Sequence, residues 1–383
     1  MKRKIYLAGV LSAVMLTATP FTAAAAPVVG PGVGAPSTQT TGPGVMMGPG
    51  ETQTSDIPGR VDYFKEEVTN PIVAVTEKYS YDRMEQDIQN LGARYGQLMQ
   101  TNVIGTSLDG RNIYEVVLGN QSADKHILIQ AGIHAREYMT PLLVMKQLEY
   151  GLAFYDKGSY EGQPLSNILQ HVAIHYVPMS NPDGTMLSEY GISSIRSEEL
   201  RQAIQNCYTT DVAQGRTSAA FERYLTVWKA NARGVDLNQN FPANWEQVVS
   251  CPNPSYATYR GASALSEPES QALANLANSR IWAATISYHS MGNVIYWDYA
   301  GNRQYEPSRE LANLIAANTG YRPAGASGNG GFKDWTQIKD NPIAGLTIET
   351  GSVACPLPLS EYNNIWNQNK MVWAAVAKYV MEH

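Results

Sequence analysis

His126-Ile127-Leu128-Ile129-Gln130-Ala131-Gly132-Ile133-His134-Ala135-Arg136-Glu137 is the stretch on which the reading of this chain turns. Its first eight residues form a mostly apolar run with the character of a buried strand. Met139 to Phe154 follows with apolar side chains at helical spacing. His134-Ala135-Arg136-Glu137 therefore falls on a strand-to-helix loop, where an imidazole and a carboxylate can turn toward one metal ion. Catalytic zinc takes three protein ligands, two His and one Glu being a recurring set, and keeps one position for water. Taken alone, an H-x-x-E string also fits an ordinary solvated loop.

Two further strand ends change that balance. Thr285-Ile286-Ser287-Tyr288-His289-Ser290 closes a second apolar strand on a His, and Leu346-Thr347-Ile348-Glu349-Thr350-Gly351 closes a third on a Glu. A carboxylate at the end of an apolar strand is costly to bury without a partner, so its placement points to function. Together the three ends supply a metal triad, His134, Glu137 and His289, and a general base, Glu349.

The order of short segments along the chain resembles the zinc carboxypeptidases of the carboxypeptidase A type, from about Tyr79 to the C-terminus. His134-Ala135-Arg136-Glu137 is followed by Asn181-Pro182-Asp183-Gly184 and Gly234-Val235-Asp236-Leu237-Asn238. Then come Ser266-Glu267-Pro268-Glu269, Ser287-Tyr288-His289-Ser290, Gly330-Gly331-Phe332-Lys333-Asp334-Trp335 and Ile348-Glu349-Thr350-Gly351. The resemblance implies one zinc per chain on His134, Glu137 and His289, with Glu349 taking a proton from the attacking water. It implies that Asp236 accepts a hydrogen bond from His134, since such carboxylates fix the tautomer of a ligating imidazole. It gives Arg136 a substrate-binding role and places Lys229 where the family has an Arg that polarises the scissile carbonyl. A Lys stabilises an oxyanion as a point charge only. Arg233 is the alternative for that task.

The chain also departs from the family. Peptidases that release a C-terminal residue grip its carboxylate with adjacent Asn and Arg; here the pair is Asn238-Gln239. A neutral amide makes no charge-assisted fork with a carboxylate. Counting back from Gly330-Gly331 puts Ala326 where the family carries a substrate-capping Tyr. Lys333 stands at the specificity position of the pocket, where an ammonium calls for an acidic side chain. In these respects the chain is similar to the γ-D-glutamyl-diaminopimelate peptidases and murein peptide amidases of bacterial cell walls. The implied substrate is a peptide or muropeptide whose distal carboxylate Lys333 meets. A carboxypeptidase releasing acidic C-terminal residues is the alternative within the fold, and an inactive wall-binding protein is the alternative outside it.

The chain has 383 residues, a net charge of −6 and no basic stripe, which argues against nucleic-acid binding. Basic Met1-Lys2-Arg3-Lys4, an apolar Ile5 to Thr19 and small residues up to Ala26 read as a secretory signal peptide over 1–26. No later run is long enough to span a bilayer, so the mature protein is expected to be secreted or wall-associated, without membrane insertion, and monomeric. Residues 27–58 are rich in Gly and Pro without hydrophobic periodicity and read as a disordered leader or a removable pro-segment. The peptidase domain then spans 59–383. Of the three cysteines, Cys207 and Cys251 flank an insertion-like region and are the expected disulfide; Cys355 is expected as a buried thiol near the site, or a nucleophile that no motif supports.

Hydrophobic patterning predicts helices over 81–98, 139–154, about 308–317 and about 362–380. Strands are expected over 113–118, 126–133 and 171–177, with others ending at His289 and Glu349. Their alternation predicts a single α/β domain built on a mixed, mostly parallel twisted sheet with helices on both faces. Sites in such sheets lie beyond the carboxyl ends of the strands. His171 and His175 are read as structural, and His126 and His383 as outside any site.

Overall fold

A computed structural model describes residues 62–325 and 328–383; the expected signal peptide, the whole of the expected leader over 27–58 and Ala326 lie outside the described residues. Among the described residues ten strands run in chain order as β1 (Met99–Thr106), β2 (Asn112–Leu118), β3 (Lys125–Gln130), β4 (Ser159–Tyr160), β5 (Gln163–Pro164), β6 (Val172–Val177), β7 (Ala284–His289), β8 (Val294–Tyr296), β9 (Arg322–Ala324) and β10 (Ala344–Glu349). Eight of them form one sheet in the order β1-β2-β6-β3-β7-β10-β8-β9, while β4 and β5 make a separate ribbon. The four central strands β6, β3, β7 and β10 pair in parallel.

Parallel strands need helical crossovers that cover both faces, so their residues are apolar without alternation. Ile127, Leu128 and Ile129 of β3 and every residue of β7 are buried, as that rule requires. The helix Met139–Ala153 is buried along nearly its whole length, packed within the larger core cluster. The register aligns Glu349 of β10 with His289 of β7, so two chemical groups arrive side by side at the carboxyl ends of neighbouring central strands.

The expected elements form with shifted ends, the helix foreseen to Leu98 stopping at Tyr95 and the strand foreseen to Ile133 stopping at Gln130, and with larger differences elsewhere. The strand foreseen from His171 begins at Val172, because His171 ends the helix Leu165–His171 and its Nδ1 lies 2.8 Å from the Asn167 carbonyl. The terminal helix is two helices, Tyr362–Asn369 and Val372–Glu382. There the buried Gln147 amide donates to the Asn369 carbonyl at 2.7 Å and takes the acceptor the next helical turn would use. Edge strand β1 had no sequence signal, since most of its side chains are exposed or half-buried. No helix among the described residues is long and apolar enough to cross a membrane.

Residues 62–80 wrap onto this body through buried charges. The Glu149 carboxylate, wholly buried, accepts from the backbone N–H groups of Ile72 and Val73, and Lys146 reaches the Val73 carbonyl at 3.2 Å. Such anchors satisfy main-chain groups that a loop would otherwise bury unpaired.

Away from the strand ends, His126, His175 and Glu115 form a chain across β3, β6 and β2. His126 Nδ1 lies 3.0 Å from His175 Nε2, and His175 Nδ1 lies 2.7 Å from Glu115 Oε1. Burial, then His175 and the Arg280 guanidinium, push the His126 pKa down from 6.5 to about 4. A histidine with a depressed folded pKa binds fewer protons folded than unfolded. Its contribution is complete above about pH 6.5 and drains away as pH falls toward about 4. The melting temperature of the wild-type chain should therefore fall more steeply over that window than that of His126→Gln, followed by thermal denaturation at stepped pH.

Candidate metal centre and substrate cleft

The loop that carries His134 turns at Gly132, whose φ of +64° suits glycine and whose absent side chain leaves room for Pro141; a Cβ would stand 2.9 Å from the proline ring. Asn181 then ties the loop down. Its side chain donates to the carbonyls of Ile133 at 3.2 Å and Ala230 at 3.0 Å, and accepts from Gly184 N. The Lys229 carbonyl accepts from Ala135 N at 3.1 Å. Three chain segments are thus pinned around one imidazole.

That imidazole meets the other expected ligands. His134 Nδ1 lies 2.8 Å from Glu137 Oε1, His289 Nδ1 lies 3.1 Å from Glu137 Oε2, and the two Nδ1 atoms are 3.1 Å apart. All three residues are buried. Four-coordinate zinc with bonds of about 2.0–2.1 Å spaces its ligand atoms by about 3.3 Å, close to these separations.

The hydrogen-bond pattern shows why a cation fits. Asp236 Oδ1 faces His134 Nε2 at 3.3 Å without a formed hydrogen bond, so an imidazole proton placed on that side would meet an acceptor. His134 Nδ1 is left with a lone pair aimed at a carboxylate and a second imidazole. Electron pairs facing one another in a buried space are stable only around a positive centre. Burial pushes the Glu137 carboxyl upward, but the fields of His134 and His289 outweigh it and hold its pKa well below the usual range. For Asp236, burial is likewise outweighed, by Lys229 and then His134.

Glu349 ends β10 in register with His289. Burial and the charge of Glu137 push its pKa up to about 7, against the opposing fields of His289, Lys229 and Arg136. A carboxylate poised near neutrality suits proton transfer.

Of the residues expected on the substrate side, Asn238 and Gln239 line the cleft beside this centre, and Arg136 and Lys333 do not. His134, Lys229, Asn238, Gln239 and Asp334 line one cleft. Asn238 accepts from Phe332 N at 3.0 Å, and the Gln239 Oε1 is buried without a partner. Arg136 makes one long contact, 3.5 Å to the Val227 carbonyl, and its Nε is buried and unpaired, so the guanidinium retains donors for a ligand. Arg233, the alternative to Lys229, is committed to the Glu267 carboxylate at 2.9 Å.

Two expectations change. Lys333 is not a free cation at the pocket floor: its side chain is 2% exposed, with its ammonium 2.6 Å from Asp334 Oδ1 and 2.6 Å from the Asp298 carbonyl. A buried ammonium takes a partner from its own chain, and the adjacent Asp334 provides it. The Cys207–Cys251 disulfide is not formed; all three cysteines are free thiols, and Cys251 donates to carbonyls of its own loop, Asn253 at 3.2 Å and Ala257 at 3.5 Å. Cys355 is partly buried near the centre as expected, donating to the Arg136 carbonyl at 3.3 Å.

Several positioning groups had no assigned role in the sequence. Asn231 donates to Glu267 at 2.7 Å and to Glu269 at 3.2 Å, while its oxygen accepts from Arg233 N and Val235 N, which fixes the loop leading to Asp236. The Ser290 N–H donates to Glu137 Oε2 at 3.1 Å. Only the ordered motifs themselves signalled the first network, and nothing in the sequence signalled the second.

Comparison with known proteins agrees with this geometry. The family model described as zinc carboxypeptidase matches residues 84–371. The chain is 33% identical over 296 residues to gamma-D-glutamyl-L-diamino acid endopeptidase 1 of Lysinibacillus sphaericus, covering 76% of this chain and 70% of that protein. It is 26% identical over 329 residues to carboxypeptidase B of Rattus norvegicus, covering 80% and 72%. In fold it is similar to bovine thrombin-activatable fibrinolysis inhibitor in complex with tick carboxypeptidase inhibitor, with a TM-score of 0.62, 20% identity and coverage of 80% and 98%.

A site of three ligands should fail when one is removed. His289→Ala should lose its zinc on dialysis against a weak chelator while the wild-type chain keeps one equivalent, as measured by atomic absorption. Full zinc occupancy in the variant would exclude His289 as a ligand.

Proposed function

The chain belongs to the zinc carboxypeptidase family, and on that premise we propose that it is an exported zinc peptidase cutting the bond between γ-D-glutamate and a diamino acid in bacterial wall peptides. The observation that carries the substrate reading is Gln239, set beside Asn238 in the cleft where a guanidinium would grip a terminal α-carboxylate. The 33% identity to a relative named for γ-D-glutamyl-L-diamino acid bonds supports the same reading. Export rests on the signal-like residues 1–26.

His134, Glu137 and His289 would hold zinc, which when bound supplies Lewis-acid chemistry and makes a coordinated water acidic near neutral pH. Glu349 accepts a proton from the water as its oxygen attacks the scissile carbonyl carbon. The same carboxyl then delivers that proton to the departing amine nitrogen as the C–N bond breaks. Arg136, with donors unspent, binds the substrate and faces the negative charge that grows on the carbonyl oxygen. Asn238 and Gln239 bind the diamino acid side with neutral donors. At the far end of the cleft, Asp334 lines the wall with its charge compensated by the buried Lys333, so the distal carbon of the diamino acid is met by a polar surface of little net charge.

Glu349→Gln should retain zinc and substrate binding yet lose turnover by about 10³–10⁴-fold, the upper part of the range for general acid–base groups, since one carboxyl serves both steps. A variant retaining a tenth of wild-type turnover would require another base.

Substrate choice is tested by comparing the purified chain on a γ-D-glutamyl-meso-diaminopimelate peptide and on plain peptides ending in Glu. The wall peptide should be cut with the higher kcat/KM, and Gln239→Arg should shift activity toward ordinary C-terminal residues. A wild-type preference for plain peptides would establish the carboxypeptidase alternative, and no hydrolysis of either would establish an inactive binding protein.

A further inference from the structure

Lys229 has one ammonium and two possible employers. The ammonium lies 3.0 Å from Asp236 Oδ2, which also accepts from Thr258 N at 3.3 Å. The other oxygen of the same carboxylate, Oδ1, faces His134 Nε2 at 3.3 Å. Asp236 is wholly buried, so its carboxylate has no water to fall back on. The main chain of residue 229 reaches the same place by another path, its carbonyl accepting from Ala135 N at 3.1 Å. Both arms of Lys229 therefore end beside one metal ligand.

We propose that Lys229 is a positioning residue for the metal centre, acting through Asp236 on His134, rather than the group that meets the developing oxyanion. The inference rests on zinc being held by His134, Glu137 and His289. By fixing Oδ2, Lys229 sets the plane of the carboxylate and leaves Oδ1 turned to the imidazole N–H. A proton on His134 Nε2, facing that oxygen, would hold the Nδ1 lone pair toward the metal. An ammonium already paired with a buried carboxylate offers substrate the field of a dipole, weaker at a distance than that of a free charge. Arg136, whose donors are unspent, is left to face the substrate oxygen.

Loss of a group that orients a metal ligand typically costs 10–100-fold in metal affinity. Lys229→Met in the full-length chain should therefore weaken zinc binding by about 10–100-fold, read by competition with a chromophoric chelator. Lys229→Arg, which can still bridge to Asp236, should restore most of it. Because Lys229→Met leaves Asp236 buried without its cation, a Lys229→Met/Asp236→Asn double variant is measured beside Asp236→Asn alone, with circular dichroism as the check on folding. If Lys229 works through Asp236, the double variant binds zinc as tightly as Asp236→Asn. Wild-type zinc affinity in Lys229→Met with a fall in kcat alone would assign the residue to the oxyanion and overturn the proposal. Additive losses in the double variant would overturn it too. A wild-type chain that takes up no zinc would instead remove the metal assignment beneath it.

Discussion

The Glu137 carboxylate between two imidazoles is the contact around which this protein is organised. One oxygen faces His134, the other faces His289, and all three side chains are buried. Three electron-pair donors at such distances repel unless a cation or protons lie among them. The fold holds the donors together from elements far apart in sequence, so the cost of the arrangement is met by the sheet and its loops, and metal binding and folding are coupled. A strand pairing that slipped by one residue would turn His289 and Glu349 to opposite faces and dissolve the centre.

Around that contact the chain spends polar residues as fasteners. Asn181 binds the His134 loop to the Ala230 loop, Asn231 binds the Asp236 loop to Glu267 and Glu269, and Asp183 takes Arg111 and Ser107 at 2.8 Å each. These groups are buried, where a satisfied hydrogen bond contributes about 0.5–1.5 kcal/mol and an orphaned partner costs about 1–3 kcal/mol. Their use here is orientation. Loops are softer than strands, and a ligand set drawn from loop ends keeps its geometry only if the backbone carbonyls around it are held.

The substrate end of the cleft is built from neutral groups and one compensated pair. Gln239 replaces a charged grip with an amide whose oxygen is unpartnered, and Lys333 is balanced by Asp334. A pocket of this kind discriminates by hydrogen-bond geometry more than by net charge. Two buried ions of opposite sign cost desolvation that their attraction only partly returns, so such a pair is retained for specificity in some proteins.

The sequence by itself determined the sheet class, the loop carrying His134 and Glu137, and the strand ends at His289 and Glu349. Period and apolar runs report burial, and burial against a polar terminus reports a site. It also determined which residue types could ligate, since few side chains can. It did not determine that Lys333 faces Asp334, that the Lys229 ammonium joins Asp236, or that Cys207 and Cys251 remain thiols. Those outcomes depend on where a flexible side chain finds its nearest opposite charge, or a thiol its acceptor, once strands and loops have been stacked. The break near Lys370 has the same origin: Gln147, 222 residues from Asn369, supplies the competing hydrogen bond. Local pattern fixes which face a residue turns inward; only the tertiary structure decides which partner it meets there.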